Sequence, residues 1–120
     1  MAKENSILRI SIIAICLCAV LWFGLLGQRD LFDPDEGRYA GIPAAMVETG
    51  DWLTPRLNDF KYFEKPVLQY WGTAAAFKVF GKSNASARLW TALLGFSTAL
   101  FAMFVAMRLY GQQAGLYTFL

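Results

Sequence analysis

The sequence predicts an all-α integral membrane protein with two transmembrane helices and the start of a third, and three observations predict it. Two runs of nineteen uncharged residues, 10–28 and 89–107, are each bounded by arginines. Hydrophobic residues make up 57% of the 120 positions and charged residues 17%, a balance that would leave a small soluble globule with much apolar surface in water. The polar residues are gathered between the two runs instead of being spread along the chain. A net charge of +2 excludes a basic nucleic-acid-binding tail, so no nucleic-acid partner is expected. There is no histidine, which removes the commonest general base and metal ligand. Any chemistry must run on Asp, Glu, Lys, Arg or Tyr.

Residues 1–9, carrying Lys3 and Arg9, read as a cytoplasmic N-terminus. Residues 10–28 follow as the first transmembrane helix, because a helix of this length covers about 28 Å, close to a bilayer core. No small-x-small cleavage site follows the apolar stretch, which speaks against a removed signal peptide. Cys16 and Cys18 lie inside it two positions apart, on different helix faces, and read as inert buried thiols. Residues 89–107 form the second span. Residues 108–120 then turn on the cytoplasmic side through Tyr110 and Gly111 and become apolar again, as the beginning of a third helix.

The connecting segment, residues 29–88, is far longer than a connector between two helices requires. Its eight Lys and Arg are matched by eight Asp and Glu, so they weigh little in the positive-inside rule, and the segment reads as an external loop. Asp33-Pro34-Asp35-Glu36 has the composition of a helix start, with Asp33 as the cap, Pro34 in the first turn and two carboxylates where the helix dipole favours them. The periodicity of Arg38, Tyr39, Ile42 and Met46 carries this helix to Gly50, a C-cap, with Pro43 kinking it or splitting it into two short turns. Asp51 to Pro55 is extended or turned, and Asn58-Asp59 is a turn.

Residues 66–77 are uncharged but too few to cross a bilayer. With Tyr70 and Trp71 among them, they predict a juxtamembrane helix lying in the interface rather than in a core, in contact with membrane lipids. Gly81 ends it. Ser83 or Asn84 caps the run into the second span, a better role for Asn84-Ala85-Ser86 than the glycosylation sequon it also matches.

Carboxylates at Asp33, Asp35 and Glu36, soon after the first span, stand near a low-dielectric wall, where they can act as a general base or a cation ligand. The plain alternative is helix capping. Arg38 and Tyr39 could pair with Asp35 or donate to a phosphate. Glu64-Lys65-Pro66 opens the juxtamembrane helix, where a lysine can meet a lipid phosphate or simply anionic headgroups. From these residues alone, the function stays between a membrane enzyme and a non-catalytic membrane module with an anchoring loop.

Three ordered blocks carry a resemblance. They are Asp33 to Ala40 (DPDEGRYA), Glu48 to Leu57 (ETGDWLTPRL), and Lys61 to Pro66 (KYFEKP) followed by Gln69-Tyr70-Trp71. Together they closely resemble the first external loop of bacterial lipid-linked sugar transferases of the protein-mannosyltransferase superfamily, nearest to the branch that modifies lipid A with aminoarabinose. Gly41 and Ala44 stand where relatives often carry charges, and Val67 where a second proline is common.

The resemblance implies a bacterial inner-membrane glycosyltransferase whose N-terminus is cytoplasmic and whose first loop is periplasmic. Its donor would be a polyprenyl-phosphate-linked sugar and its acceptor a lipid or glycolipid. It further implies Asp35 as the acidic residue of the active centre, Glu64 as a carboxylate helping to hold a divalent metal cation, and Lys65 as a contact to the donor phosphate, with Arg38 and Tyr39 lining the same cavity. Whether Asp35 acts as base, cation ligand or positioning group depends on the acceptor. Two spans and one loop cannot enclose a polyprenyl tail and an acceptor, so these residues are expected to need further helices for activity.

Overall fold

A computed structural model describes residues 2–120, with side chains from Ser6 onward. The Lys3 side chain therefore lies outside the described residues. Among the described residues the regular elements are five helices and one small β-ribbon, in the order α1 (Ala2–Gly24), α2 (Asp35–Thr49), β1 (Arg56–Leu57), β2 (Phe60–Lys61), α3 (Val67–Phe80), α4 (Asn84–Tyr110) and α5 (Gln112–Phe119). It divides into two compact units, Met1–Gly24 with Ala92–Leu120, and Leu25–Thr91.

The first unit holds α1 and α4 from Ala92 onward, the greater part of the two helices able to span a membrane. Ser6–Gly24 of α1 and the whole of α4 are long and apolar enough to cross a bilayer. Their side chains are mostly exposed, Ile13, Val20 and Phe101 among them, as expected of surfaces that face lipid tails. Contact between helices rests on a few aromatic and small residues. Trp22 donates its indole N–H to the Ala92 carbonyl at 3.1 Å, beside Gly95, and the Phe96 ring meets Trp22, Phe23 and Phe119. Gly115 brings α5 against Met103 and Met107, close enough that a Cβ there would strike the Met107 side chain. Close approach at small residues is how helices pack where no hydrophobic effect drives them together. Cys16 is exposed and Cys18 half-buried, and both are free thiols.

The second unit is built around α2 and α3. On α2, Tyr39, Ile42 and Met46 recur at helical spacing; on α3, Tyr70, Thr73, Ala74 and Phe77 do the same, and the two stripes face each other. Ile42, Met46, Tyr70 and Ala74 are almost completely buried, with Trp52, Leu57, Tyr62 and Val67 packed around them. One face of α3 thus packs into the core of the loop, while Leu68, Val79 and Phe80 stay exposed.

Two expectations are revised. Pro43 does not split α2 into two short turns; it is buried within one continuous helix. Asp33 is not the cap, since Pro34 occupies that position and no side chain caps the helix. Asp35 and Glu36 do lie in the first turn. Gly50 closes α2 in the left-handed conformation at φ 73°, its N–H donating to Met46.

The β-ribbon was not foreseen. Asn58 and Asp59 both take positive φ, 50° and 68°, the backbone of a tight hairpin that pairs Arg56 with Lys61 and Leu57 with Phe60. Only the turn was legible, because strands of two residues carry no measurable alternation. Upstream, the Asp51 carboxylate accepts the N–H groups of Leu53 and Thr54, fixing the bend between α2 and the ribbon. The Tyr62 N–H, donating to the Pro55 carbonyl at 2.8 Å, extends the ribbon pairing toward α3.

Ser83 caps α4 by reciprocal bonds with Ser86: each accepts the other's backbone N–H, at 2.9 and 3.2 Å. Two residues after Ser86, the Arg88 guanidinium donates to the carbonyls of Leu26, Arg29 and Asp30 and to both oxygens of Glu36, all within 2.7–2.9 Å. Gly72 on α3 lies so close to Trp90 on α4 that any Cβ would run into the indole ring. Gly72→Val should therefore destabilise the protein by about 1–3 kcal/mol, the usual cost of overpacking, read as a lowered unfolding midpoint. An unchanged midpoint would mean that α3 and α4 do not pack through this glycine.

Candidate active site

The stripe that α2 buries against α3 continues toward its N-terminus as Asp35, Arg38 and Tyr39. Positions 35, 38, 39, 42 and 46 share one helix face, so the residues that build the core and those that could do chemistry form a single line. Past the end of the core that line opens into a polar cavity of about 370 Å³. Its other wall is the segment leading from β2 into α3, which contributes Tyr62, Glu64 and Lys65, and Tyr70 of α3 completes the lining. All five residues singled out from the sequence, Asp35, Arg38, Tyr39, Glu64 and Lys65, meet here across about thirty residues of chain.

Two pairs form within the cavity. Arg38 and Asp35 form an ion pair one helical turn apart, which raises the guanidinium pKa further above its ordinary value. The Asp35 side chain is nonetheless 72% exposed, free to meet a ligand on its other side. Tyr62 donates its hydroxyl to Glu64 at 2.8 Å, and that bond pushes the phenol pKa up. Burial pushes Tyr70 up to about 12, so both phenols keep their protons at neutral pH and serve as donors. Tyr39 stacks at a tilt on Tyr70, ring centroids 6.1 Å apart. Lys65 is exposed and forms no ion pair among the described residues, which leaves its ammonium available to an anion.

Sequence reasoning missed Tyr62 and Tyr70 as lining residues. Tyr70 gave a usable signal, since it continues the buried stripe of α3; Tyr62 gave none, because its place depends on the ribbon. Of the acidic cluster, only Asp35 faces the cavity. Glu36 turns away to Arg88, whose hydrogen bonds, with that of the Phe32 N–H, hold its pKa down to about 2. The Asp33 carboxylate lies over Gly37 outside the lining.

As a chemical environment, the cavity sets two carboxylates and two permanent cations among three phenols. The donor set is suited to an anionic phosphate at Lys65 and Arg38 and to polar hydroxyls, such as those of a sugar, at the tyrosines and carboxylates.

Residues 6–120 match the family described as dolichyl-phosphate-mannose-protein mannosyltransferase. A similar curated protein is the undecaprenyl phosphate-alpha-4-amino-4-deoxy-L-arabinose arabinosyl transferase of Shewanella sediminis, 40% identical over 104 residues that cover 85% of this chain and 18% of that protein. The protein of the same name from Pectobacterium atrosepticum is 40% identical over 114 residues, covering 92% and 20%. Among solved structures, ArnT from Cupriavidus metallidurans in the apo state is similar with a TM-score of 0.84 at 37% identity, over 96% of this chain and 21% of its own. The same protein bound to undecaprenyl phosphate gives 0.83 at 40% identity, over 87% and 19%. The chain spans about a fifth of the length of these relatives.

Proposed function

Because the chain belongs to the dolichyl-phosphate-mannose-protein mannosyltransferase family, we propose that it supplies the donor-phosphate side of the active centre in a membrane glycosyltransferase. The reaction moves a sugar from a polyprenyl-phosphate donor to a lipid or glycolipid acceptor. The names of the relatives point to 4-amino-4-deoxy-arabinose as the sugar and undecaprenyl phosphate as the carrier. The observation that carries this reading is the placing of the exposed Asp35 carboxylate, the free Lys65 ammonium and Arg38 in one polar cavity.

In such a transfer the anomeric C–O bond to the carrier phosphate breaks and a new C–O bond forms to the acceptor oxygen. The polyprenyl phosphate leaves as a monoester with added negative charge. Lys65, and Arg38 beside it, stabilise that charge where it develops. With a hydroxyl acceptor, Asp35 takes the hydroxyl proton as the oxygen attacks the anomeric carbon. With a phosphate acceptor, already anionic, there is no proton to take and Asp35 orients the reactants instead. Tyr39, Tyr62 and Tyr70 offer rings and hydroxyls to the sugar.

A divalent cation fits this donor set. Asp35 and Glu64 bring two hard carboxylate ligands to one cavity, the usual protein share for a cation whose shell is completed by substrate phosphate and water. Among the described residues no group of three or more Asp, Glu, Cys or His gathers into a cage of its own. When bound, the ion would supply positive charge beside the leaving phosphate.

The proposed location is the bacterial inner membrane, with residues 29–88 on the periplasmic face and residues 1–9 and 108–120 in the cytoplasm. Reporter fusions after Asn58 and after Gln113 should report opposite compartments, the first external; a cytoplasmic signal at Asn58 would reverse the orientation.

The functional reading is tested by Asp35→Asn in the natural-length protein. The change keeps side-chain size and removes the charge, and should lower sugar transfer by at least about a hundredfold at matched abundance, the range of a lost base or electrostatic group. Asp33→Asn, outside the cavity, should stay near wild type. Equal activities of the two variants would return the acidic cluster to a purely structural role.

A further inference from the structure

We infer that Arg88 is the positioning residue that holds Asp35 in the cavity, acting through its neighbour Glu36. The inference rests on the proposed role of Asp35 and adds a residue from outside the cavity. Asp35 is not fixed by its own contacts: it is largely exposed, and its partner Arg38 sits on the same helix and moves with it. The helix start is not fixed by a cap either, since Pro34 offers no side-chain bond. Yet position at this point decides whether a carboxylate can reach a reacting atom.

The missing hold is the Arg88 guanidinium. Its Nε and Nη2 grip the two oxygens of Glu36, each at 2.8 Å. Glu36 also accepts the Phe32 N–H at 2.7 Å, while its own N–H returns to the Phe32 carbonyl. The remaining guanidinium protons go to the carbonyls of Leu26, Arg29 and Asp30, so that all five N–H donors are used. The Arg88 side chain is only 16% exposed, so the guanidinium itself sits largely out of water while Glu36 keeps a third of its surface open. Consecutive residues on a helix are rotated by about 100°. Fixing Glu36 toward Arg88 therefore fixes the azimuth of Asp35, which then points to the cavity side. Only the planar fork of arginine meets a carboxylate and three carbonyls together; a lysine at 88 keeps the charge and loses the geometry. Glu36 stays ionised throughout the physiological pH range, as its depressed pKa requires.

The test uses the natural-length protein in membranes at matched abundance, with Arg88→Lys, Glu36→Gln and the double variant. Each single change should lower kcat by about tenfold to a hundredfold, as a misplaced catalytic group does, and leave KM for the polyprenyl-phosphate donor within about twofold. The double variant should lose no more than either single one, because both break the same link. Wild-type kcat in Arg88→Lys, or losses that multiply in the double variant, would overturn the inference while leaving the functional reading intact. Hydrogen exchange gives a readout independent of activity. In Arg88→Lys the amides of residues 32–38 should exchange at least about tenfold faster, with those of α3 unchanged. No change at 32–38, or an equal rise in α3, would overturn the inference. A wild-type protein that transfers no sugar would instead overturn the functional reading, and the exchange result would then decide whether Arg88 holds the start of α2.

Discussion

The loop unit depends on one guanidinium. Arg88 reaches from the first turns of α4 to the carbonyls that follow α1 and to the carboxylate that begins α2, joining α4 to two stretches of chain more than fifty residues earlier. The three carbonyls are backbone groups that no helix uses, and the guanidinium satisfies them while pairing its own charge with Glu36. Replacing Arg88 by an apolar residue would leave those acceptors and a half-buried carboxylate without partners, which costs more than the bridge itself gains. The same contact orders the start of α2, and the start of α2 carries Asp35.

From that anchor the rest of the unit follows by packing. A helix whose first turn is fixed presents Tyr39, Ile42 and Met46 to α3, and Tyr70 and Ala74 fill the opposite face. The ribbon of β1 and β2 brings Tyr62 to the edge of this core, and the three residues after it deliver Glu64 and Lys65 opposite Asp35. Core and cavity are thus two ends of one interface. Apolar residues close it at one end; charged and phenolic residues leave it open at the other.

How much of this was legible in the sequence depended on the range over which each signal acts. The Gly50 and Gly81 stops, the Ser83 cap and the Asn58-Asp59 turn are local, and each appears where its residues suggested, whereas the two apolar helices run Ala2–Gly24 and Asn84–Tyr110 instead of matching the uncharged runs end to end. The cap at Asp33 failed because the helix solved its start with a distant arginine instead of a neighbouring side chain. The buried face of α3 was not legible because its composition, aromatic and uncharged, suits a membrane interface and a core equally well, and only the matching stripe on α2 reveals it. The site residues were recognised by their resemblance to a family, and spacing alone had left Asp35 level with Glu36. The structure separates these two neighbours, one facing the cavity and one facing Arg88.

The central claim is that the cavity between α2 and the segment before α3 takes the phosphate of a polyprenyl donor. Its most direct test is equilibrium binding of polyprenyl phosphate to the natural-length protein, wild type against Lys65→Met. Removing the Lys65 ammonium, which forms no ion pair among the described residues, should weaken binding by at least about tenfold, the loss expected for a charge-assisted contact to phosphate. Unchanged affinity would contradict the account and place the donor phosphate elsewhere.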